Sequence, residues 1–219
     1  MIITIDGPAG AGKSTVARAL ARRLGFRFLD TGAMYRAVAL AGMRQGVDWS
    51  QPAQLAELAE KLDIRVINER IFLGNEDVTE TVRSLEVTAA TRYAADNPHV
   101  RRRLVKLQQA IAGQDDFVTE GRDQGTVAFP QAACKIFLTA SELERAKRRW
   151  HDLQGQGSDT SLEEILAAQR RRDREDATRA VGPLLAAPDA IEVSTDGLAL
   201  DDVVDQLETL VRSRKGGRG

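Results

Sequence analysis

Residues Gly7-Pro8-Ala9-Gly10-Ala11-Gly12-Lys13-Ser14 match the pattern G-x-x-x-x-G-K-[ST] at every specified position. The flanks narrow the choice of fold. Ile2-Ile3-Thr4-Ile5-Asp6 reads as a short buried strand, and Val16, Ala17, Leu20 and Leu24 fall at helical spacing behind the glycines. A strand that passes through such a loop into a helix predicts the first βα unit of a parallel α/β fold. Gly7, Gly10 and Gly12 have no Cβ, so the backbone can turn tightly and aim successive N–H groups at phosphate oxygens. The helix that begins at the end of the loop adds its positive end. Lys13 is expected to reach the β- and γ-phosphates of a nucleoside triphosphate. The Ser14 hydroxyl is expected to complete the coordination of Mg²⁺, and Thr15 to support the α-phosphate. Gly7, Pro8, Ala9, Gly10, Ala11, Gly12, Lys13, Ser14 and Thr15 thus form the expected donor site, for ATP or GTP.

Strand-like runs at 2–6, 26–29, 117–120, 135–139 and 191–194 alternate with helical segments at 15–24, 100–112, 143–153 and 200–211. Such alternation predicts a parallel sheet with helices on both faces, and ligands of these sheets bind beyond the carboxyl ends of the strands. Asp30, Arg122, Asp123 and Ser141 occupy such positions. Between Gln45 and Asp96 the rhythm changes. Residues 64–67 and 70–73 read as a hairpin about Asn68-Glu69, followed by a turn at Gly74-Asn75-Glu76-Asp77. This is an antiparallel insertion, suited either to hold a second substrate or to present a partner surface. Arg145, Arg148, Arg149, Arg170, Arg171, Arg172, Arg174 and Arg179 lie on two helical runs joined by Gly155-Gln156-Gly157-Ser158. They fit a solvated face paired with Glu142, Glu144, Asp173, Glu175 and Asp176, or a flap that closes arginines over a phosphoryl group. Arg172 and Arg179, seven apart, are expected on one helix face.

Composition excludes several classes. A net charge of −1 over 219 residues argues against a general nucleic-acid or membrane-surface binder. No run approaches the roughly twenty apolar residues of a membrane span, and with strand 1 at the N-terminus no signal peptide is expected. Cys134, the single cysteine, lies in an apolar strand and is expected to be a buried, inert thiol in a reducing cytoplasm. His99 and His151 have no metal-ligand spacing. The basic, glycine-rich tail from Arg212 to Gly219 is expected to fray. There is no N/T-K-x-D motif, which disfavours a GTP-dependent switch.

Three further patches carry chemistry. Asp30-Thr31-Gly32-Ala33-Met34-Tyr35-Arg36 offers Thr31 as a helix N-cap, with Asp30 either a cap or an acid that orients Mg²⁺ through water. Gly121-Arg122-Asp123-Gln124-Gly125-Thr126, followed by Phe129-Pro130, brings an arginine and a carboxylate to a strand end. Arg172-Asp173, Asp176 and Arg179-Ala180-Val181, with Pro183-Leu184, form the third. Together with the phosphate loop these patches resemble the bacterial cytidylate kinases, P-loop nucleoside monophosphate kinases, from strand 1 to the last helix. The resemblance implies MgATP-dependent phosphorylation of CMP and dCMP by a single P-loop kinase domain spanning 1–219. It further implies a monophosphate-binding lobe at 45–96 and a short helical lid at 145–162. Thr31, Arg36, Arg101, Arg122, Asp123, Arg172 and Arg179 become the expected substrate-binding residues. Lys13, Arg122, Arg179 and Arg148 become the expected catalytic residues, with Ser14 on the metal. Asp123, with Arg172, would read the cytosine, because a carboxylate accepts from the exocyclic amino group that uracil lacks. Where relatives carry a small hydroxyl near the end of the lobe, this chain has Thr91-Arg92-Tyr93. ATP and CMP or dCMP are the expected partners, with no nucleic acid, no membrane and a monomeric chain. A uridylate kinase or a kinase of a small alcohol is the rival within the class.

Overall fold

The computed structural model describes residues 1–155 and 159–216. In chain order the elements are β1 Ile2–Asp6, α1 Lys13–Leu24, β2 Arg27–Asp30, α2 Thr31–Arg44, α3 Pro52–Lys61, β3 Ile64–Ile67, β4 Arg70–Leu73 and β5 Glu76–Asp77. They continue with α4 Leu85–Ala95, α5 Pro98–Ala112, β6 Phe117–Gly121, β7 Cys134–Thr139, α6 Glu142–Gln154, α7 Leu162–Thr178, β8 Ile191–Ser194 and α8 Leu200–Gly216. Two compact units result: Met1–Arg27 with Asp115–Gly219, and Phe28–Gln114.

The first unit holds β6, β1, β7 and β8 of a five-stranded sheet of order β2-β6-β1-β7-β8. β1 is its centre, parallel to β6 on one side and β7 on the other, in a register that sets Asp6 beside both Gly121 and Phe137. Strand β1 is buried on both faces, so its polar residues Thr4 and Asp6 are buried along with Ile3 and Ile5. Ile3, Ile5, Leu20, Phe117, Leu138 and Leu207 have almost no exposed surface, each contributing about 1.5–3 kcal/mol of transfer free energy. Helix α1 packs against β6 and α8. A smaller cluster of Ala146, Leu153 and Ile165, with Trp150, Leu162 and Leu166 against it, joins α6 to α7. Cys134 is buried, and that burial pushes its thiol pKa up, as expected for an inert group.

The boundaries follow local chemistry. α1 ends at Gly25, whose φ of 70° lets its N–H and that of Phe26 turn back to the carbonyls of Arg22 and Ala21. That closure uses Phe26, so β2 starts at Arg27 rather than at residue 26. In the second unit β3 and β4 pair antiparallel in the expected register, Val66 opposite Ile71, around Asn68 and Glu69 at φ 48° and 64°. Both central residues left-handed is the backbone of a tight hairpin turn. Glu76 and Asp77, expected to be part of a turn, instead pair with Leu73 and Phe72 as a third strand. Gly74 and Asn75 alone make that reversal. α2 is buried along most of its length, and it packs on α4 and α3.

Of the expected flexible joint after Gly155, residues 156–158 lie outside the described residues, as do 217–219 of the basic tail. Among the described residues no helix is long and apolar enough to cross a membrane.

Candidate active site

The phosphate loop runs from the end of β1 to the start of α1. A Cβ at Gly7 would lie 2.0 Å from the carbonyl oxygen of Leu138, so only glycine lets the loop lie this close to β7. Gly12, at φ 87°, is the left-handed residue from which α1 starts. Carbonyl oxygens would repel a phosphate, and the loop's are held by donors from separate elements. Lys13 Nζ donates to Pro8 O at 2.8 Å, Arg145 Nη1 to Ala9 O at 3.0 Å and Thr195 Oγ1 to Ala11 O at 3.4 Å.

Lys13 is buried, and loss of solvation lowers its pKa to about 7, assisted by Arg122 and Arg172 and opposed by Glu120 and Asp6. Asp6 moves the other way. Burial raises it to about 6, even though backbone N–H groups of Gly125 and Gln124 donate to its oxygens at 2.7 and 2.8 Å. Ser14 Oγ donates to Glu120 Oε1 at 2.9 Å. A hydroxyl beside a buried carboxylate is an oxygen donor set that suits a hard cation such as Mg²⁺. Among the described residues no group of three or more His, Cys, Asp or Glu side chains could hold a metal. A cation bound at Ser14 would take further ligands from phosphate and water.

Asp176, on the last turns of α7, organises two arginines. Arg122 Nε donates to one of its oxygens at 2.8 Å and Arg179 Nη2 to the other at 2.6 Å. Burial works to raise the Asp176 pKa, but Arg122, Arg179 and Arg172 outweigh it and hold the group below the usual carboxylate range. Arg179 is not on the face of α7 with Arg172, as the seven-residue interval predicted. The helix ends at Thr178 and Arg179 turns to extended backbone, φ −59° and ψ 133°, where Leu184 N–H closes on Asp176 O. Arg145 is buried and joins Ala9 O, Ala140 O and Asp173, whereas Arg148 donates to Glu144 and to both the hydroxyl and the carbonyl of Thr195. Asp123 is buried at the start of a π-helical turn, Gln124–Ala128.

The second unit holds the other expected residues. Asp30, not Thr31, is the N-cap of α2, accepting from Ala33 N–H at 2.8 Å while both its oxygens meet Arg36 Nη2 at 3.3 and 3.2 Å. Thr31 is the first, buried residue of that helix. The carboxylate of Asp30 has the shorter reach to the first-turn amides and the extended backbone a cap requires. Arg101 is buried, donates to Ala95 O at 3.0 Å and lies over the ring of Tyr35 at 5.4 Å. At Thr91-Arg92-Tyr93, Arg92 covers one face of Tyr93 at 4.8 Å, and Tyr93 stacks on Trp49 at 4.7 Å.

Several residues escaped the motifs. Asp6 and Glu120 read as strand ends, Asp176 reads as a neighbour of arginines, and Thr195 belongs to no pattern. Arg145 was one of many arginines, and only its burial marks it out.

A family profile described as cytidylate kinase matches residues 3–213. The cytidylate kinase of Rhodopirellula baltica is 54% identical over 212 residues, covering 97% of this chain and 93% of that protein. That of Mycobacterium leprae is 48% identical, covering 99% and 97%. A bifunctional pantoate ligase/cytidylate kinase of Synechococcus elongatus is 46% identical over 97% of this chain but only 42% of its own length. Among solved structures, the shikimate kinase of Bacteroides thetaiotaomicron superposes with a TM-score of 0.51 at 13% identity, covering 97% of this chain and 98% of that one, a likeness of fold alone. The chain belongs to the cytidylate kinase family.

Proposed function

We propose that this chain transfers the γ-phosphoryl group of ATP to CMP or dCMP, giving ADP and CDP or dCDP. What carries this assignment, beside the family, is the gathering of Lys13, Arg122, Arg172 and Arg179 about buried carboxylates at the mouth of a phosphate loop. Phosphoryl transfer passes through a loose transition state and asks mainly for position and charge neutralisation. The acceptor oxygen of a monophosphate is already ionised at neutral pH, so no general base is needed. The loop from Gly7 to Thr15 holds the triphosphate, with Lys13 on its β- and γ-phosphates. Mg²⁺, held by Ser14 with Glu120 behind it, would neutralise phosphate charge when bound. Arg36, Arg122 and Arg179 hold the acceptor phosphate and the group in transfer, Arg101 and Thr31 support the monophosphate, and Asp123 with Arg172 reads the cytosine. Arg148 is the lid arginine assigned to the γ-phosphoryl, released for that purpose from Thr195 and Glu144. The monophosphate lobe is assigned to 45–96 and the lid to 145–162.

Coupled measurement of ADP release with MgATP and a panel of monophosphates tests the proposal. CMP and dCMP should turn over well above UMP, AMP and GMP. A panel led by AMP or UMP, or one without turnover, would overturn it.

A further inference from the structure

The turn that carries Arg122 and Asp123 lacks its own cap. Residues Gln124–Ala128 form one π-helical turn, with Val127 and Ala128 N–H returning to Asp123 O and Phe129 N–H to Gln124 O at 2.7 Å. The first amides of any helical turn have no partner inside it. An aspartate at the preceding position usually accepts from them. Asp123 occupies that position, yet its side chain makes no capping bond. The bonds come from another strand: Oδ1 of Asp6 accepts from Gln124 N–H at 2.8 Å and Oδ2 from Gly125 N–H at 2.7 Å. Both oxygens of a 5%-exposed carboxylate are thus used on two successive amides. The turn is pressed onto β1, since a Cβ at Gly125 would lie 3.0 Å from Thr4 Oγ1, 3.2 Å from Lys135 Cδ and 3.4 Å from Asp6 Oδ2. The charged groups facing Asp6 are Asp123 and Lys13.

We infer that Asp6 is a positioning residue for base recognition: it caps the Gln124–Ala128 turn, a bond that Asp123 does not make, and so fixes the backbone from which Asp123 projects. The inference rests on the proposed assignment of Asp123 to the cytosine. Asp6 touches neither substrate in this scheme. Its effect on the acceptor passes through the backbone of the turn, and any effect on the donor passes through Lys13 or through Gly7, the next residue of the chain.

Asp6→Asn keeps the shape, but its amide group must face one of the two N–H donors and loses that bond. The expected result is a rise of about tenfold or more in KM for CMP, with KM for ATP changed less than about twofold, the loss that goes with one charge-assisted bond. The ratio of kcat/KM for CMP over UMP should fall as well. In the free protein, hydrogen exchange at Gln124 and Gly125 should quicken while the β1 amides Ile3 and Ile5 stay protected. A variant with unchanged KM for CMP but a raised KM for ATP would mean that Asp6 serves the donor loop, and unchanged exchange at the turn would mean that it is no cap. Either overturns the inference. Wild-type protein that fails to prefer CMP would instead overturn the assignment of Asp123, leaving the exchange result to judge the cap. If Asp6→Asn does not fold, Gly125→Ala, which leaves Asp6 intact and lifts the turn, should show the same selective rise in KM for CMP. Equal changes for both substrates there would overturn it.

Discussion

Burial and the neighbouring Arg122 and Arg172 penalise the charge of Lys13 and lower its pKa to about 7. An unfolded lysine keeps its proton to well above pH 9. Between about pH 7 and that value the unfolded chain therefore binds more protons than the folded one, and Lys13 makes stability rise with pH across that window. Phosphates reverse the balance. Bringing their negative charge to Lys13 should raise its pKa, so binding of a non-hydrolysable ATP analogue at pH 8 should take up a large fraction of a proton, up to about one. Calorimetry in buffers of different ionisation enthalpy reads this directly, and a buffer-independent heat would refute it. Lys13→Ala should melt near the wild-type temperature while losing about 10²-fold or more in kcat, as for removal of one transition-state donor. Turnover close to wild type would remove Lys13 from the mechanism. At Asp123 the expectation is substrate-specific. Asp123→Ala should raise KM for CMP far more than KM for ATP, and the native carboxylate should favour CMP over UMP by about 10²-fold, because uracil turns a carbonyl oxygen towards it. Steady-state kinetics with both pyrimidines decides. Equal losses for ATP and CMP would assign Asp123 to the metal or the fold.

At the scale of elements, several strands could be read from apolar runs: β1 and β8 of the first unit fall at their expected residues, and so does the β3–β4 hairpin of the second. What could not be read is what depends on partners distant in sequence. Thr195 lies 184 residues from Ala11, and Asp6 caps a turn 118 residues away. Neither spacing leaves a periodic trace. The Arg172–Arg179 interval misled because a heptad is meaningful only while the helix lasts, and α7 ends at Thr178. Phosphate-side chemistry was legible because glycine, lysine and hydroxyl must sit in fixed order along one loop. The close approach of Gly7 to β7 makes a prediction at this scale. Gly7→Ala puts a methyl group inside contact distance of Leu138 O and must displace the loop. Affinity for ATP should fall by at least about tenfold, while KM for CMP changes little, since geometric displacement of aligned donors costs on this order. Equilibrium binding of a fluorescent ATP analogue checks it, and unchanged affinity would show that the loop tolerates the shift.

The molecule as a whole divides into two compact units, Met1–Arg27 with Asp115–Gly219 and Phe28–Gln114. A transfer that must exclude water calls for closure once both substrates are bound. Hydrogen exchange should therefore report increased protection within 45–96 on adding CMP and within 148–154 on adding an ATP analogue. An unchanged pattern at saturation would refute closure. The sole cysteine gives a way to watch such motion. Cys134 is 2% exposed on a central strand, and burial disfavours its thiolate, the form that reacts with maleimides. The folded surface is thus silent to thiol reagents without any engineering. Two cysteines introduced at exposed sites, one in each unit, would be the only positions to take up dyes, and the distance between them could be followed one molecule at a time while nucleotides come and go.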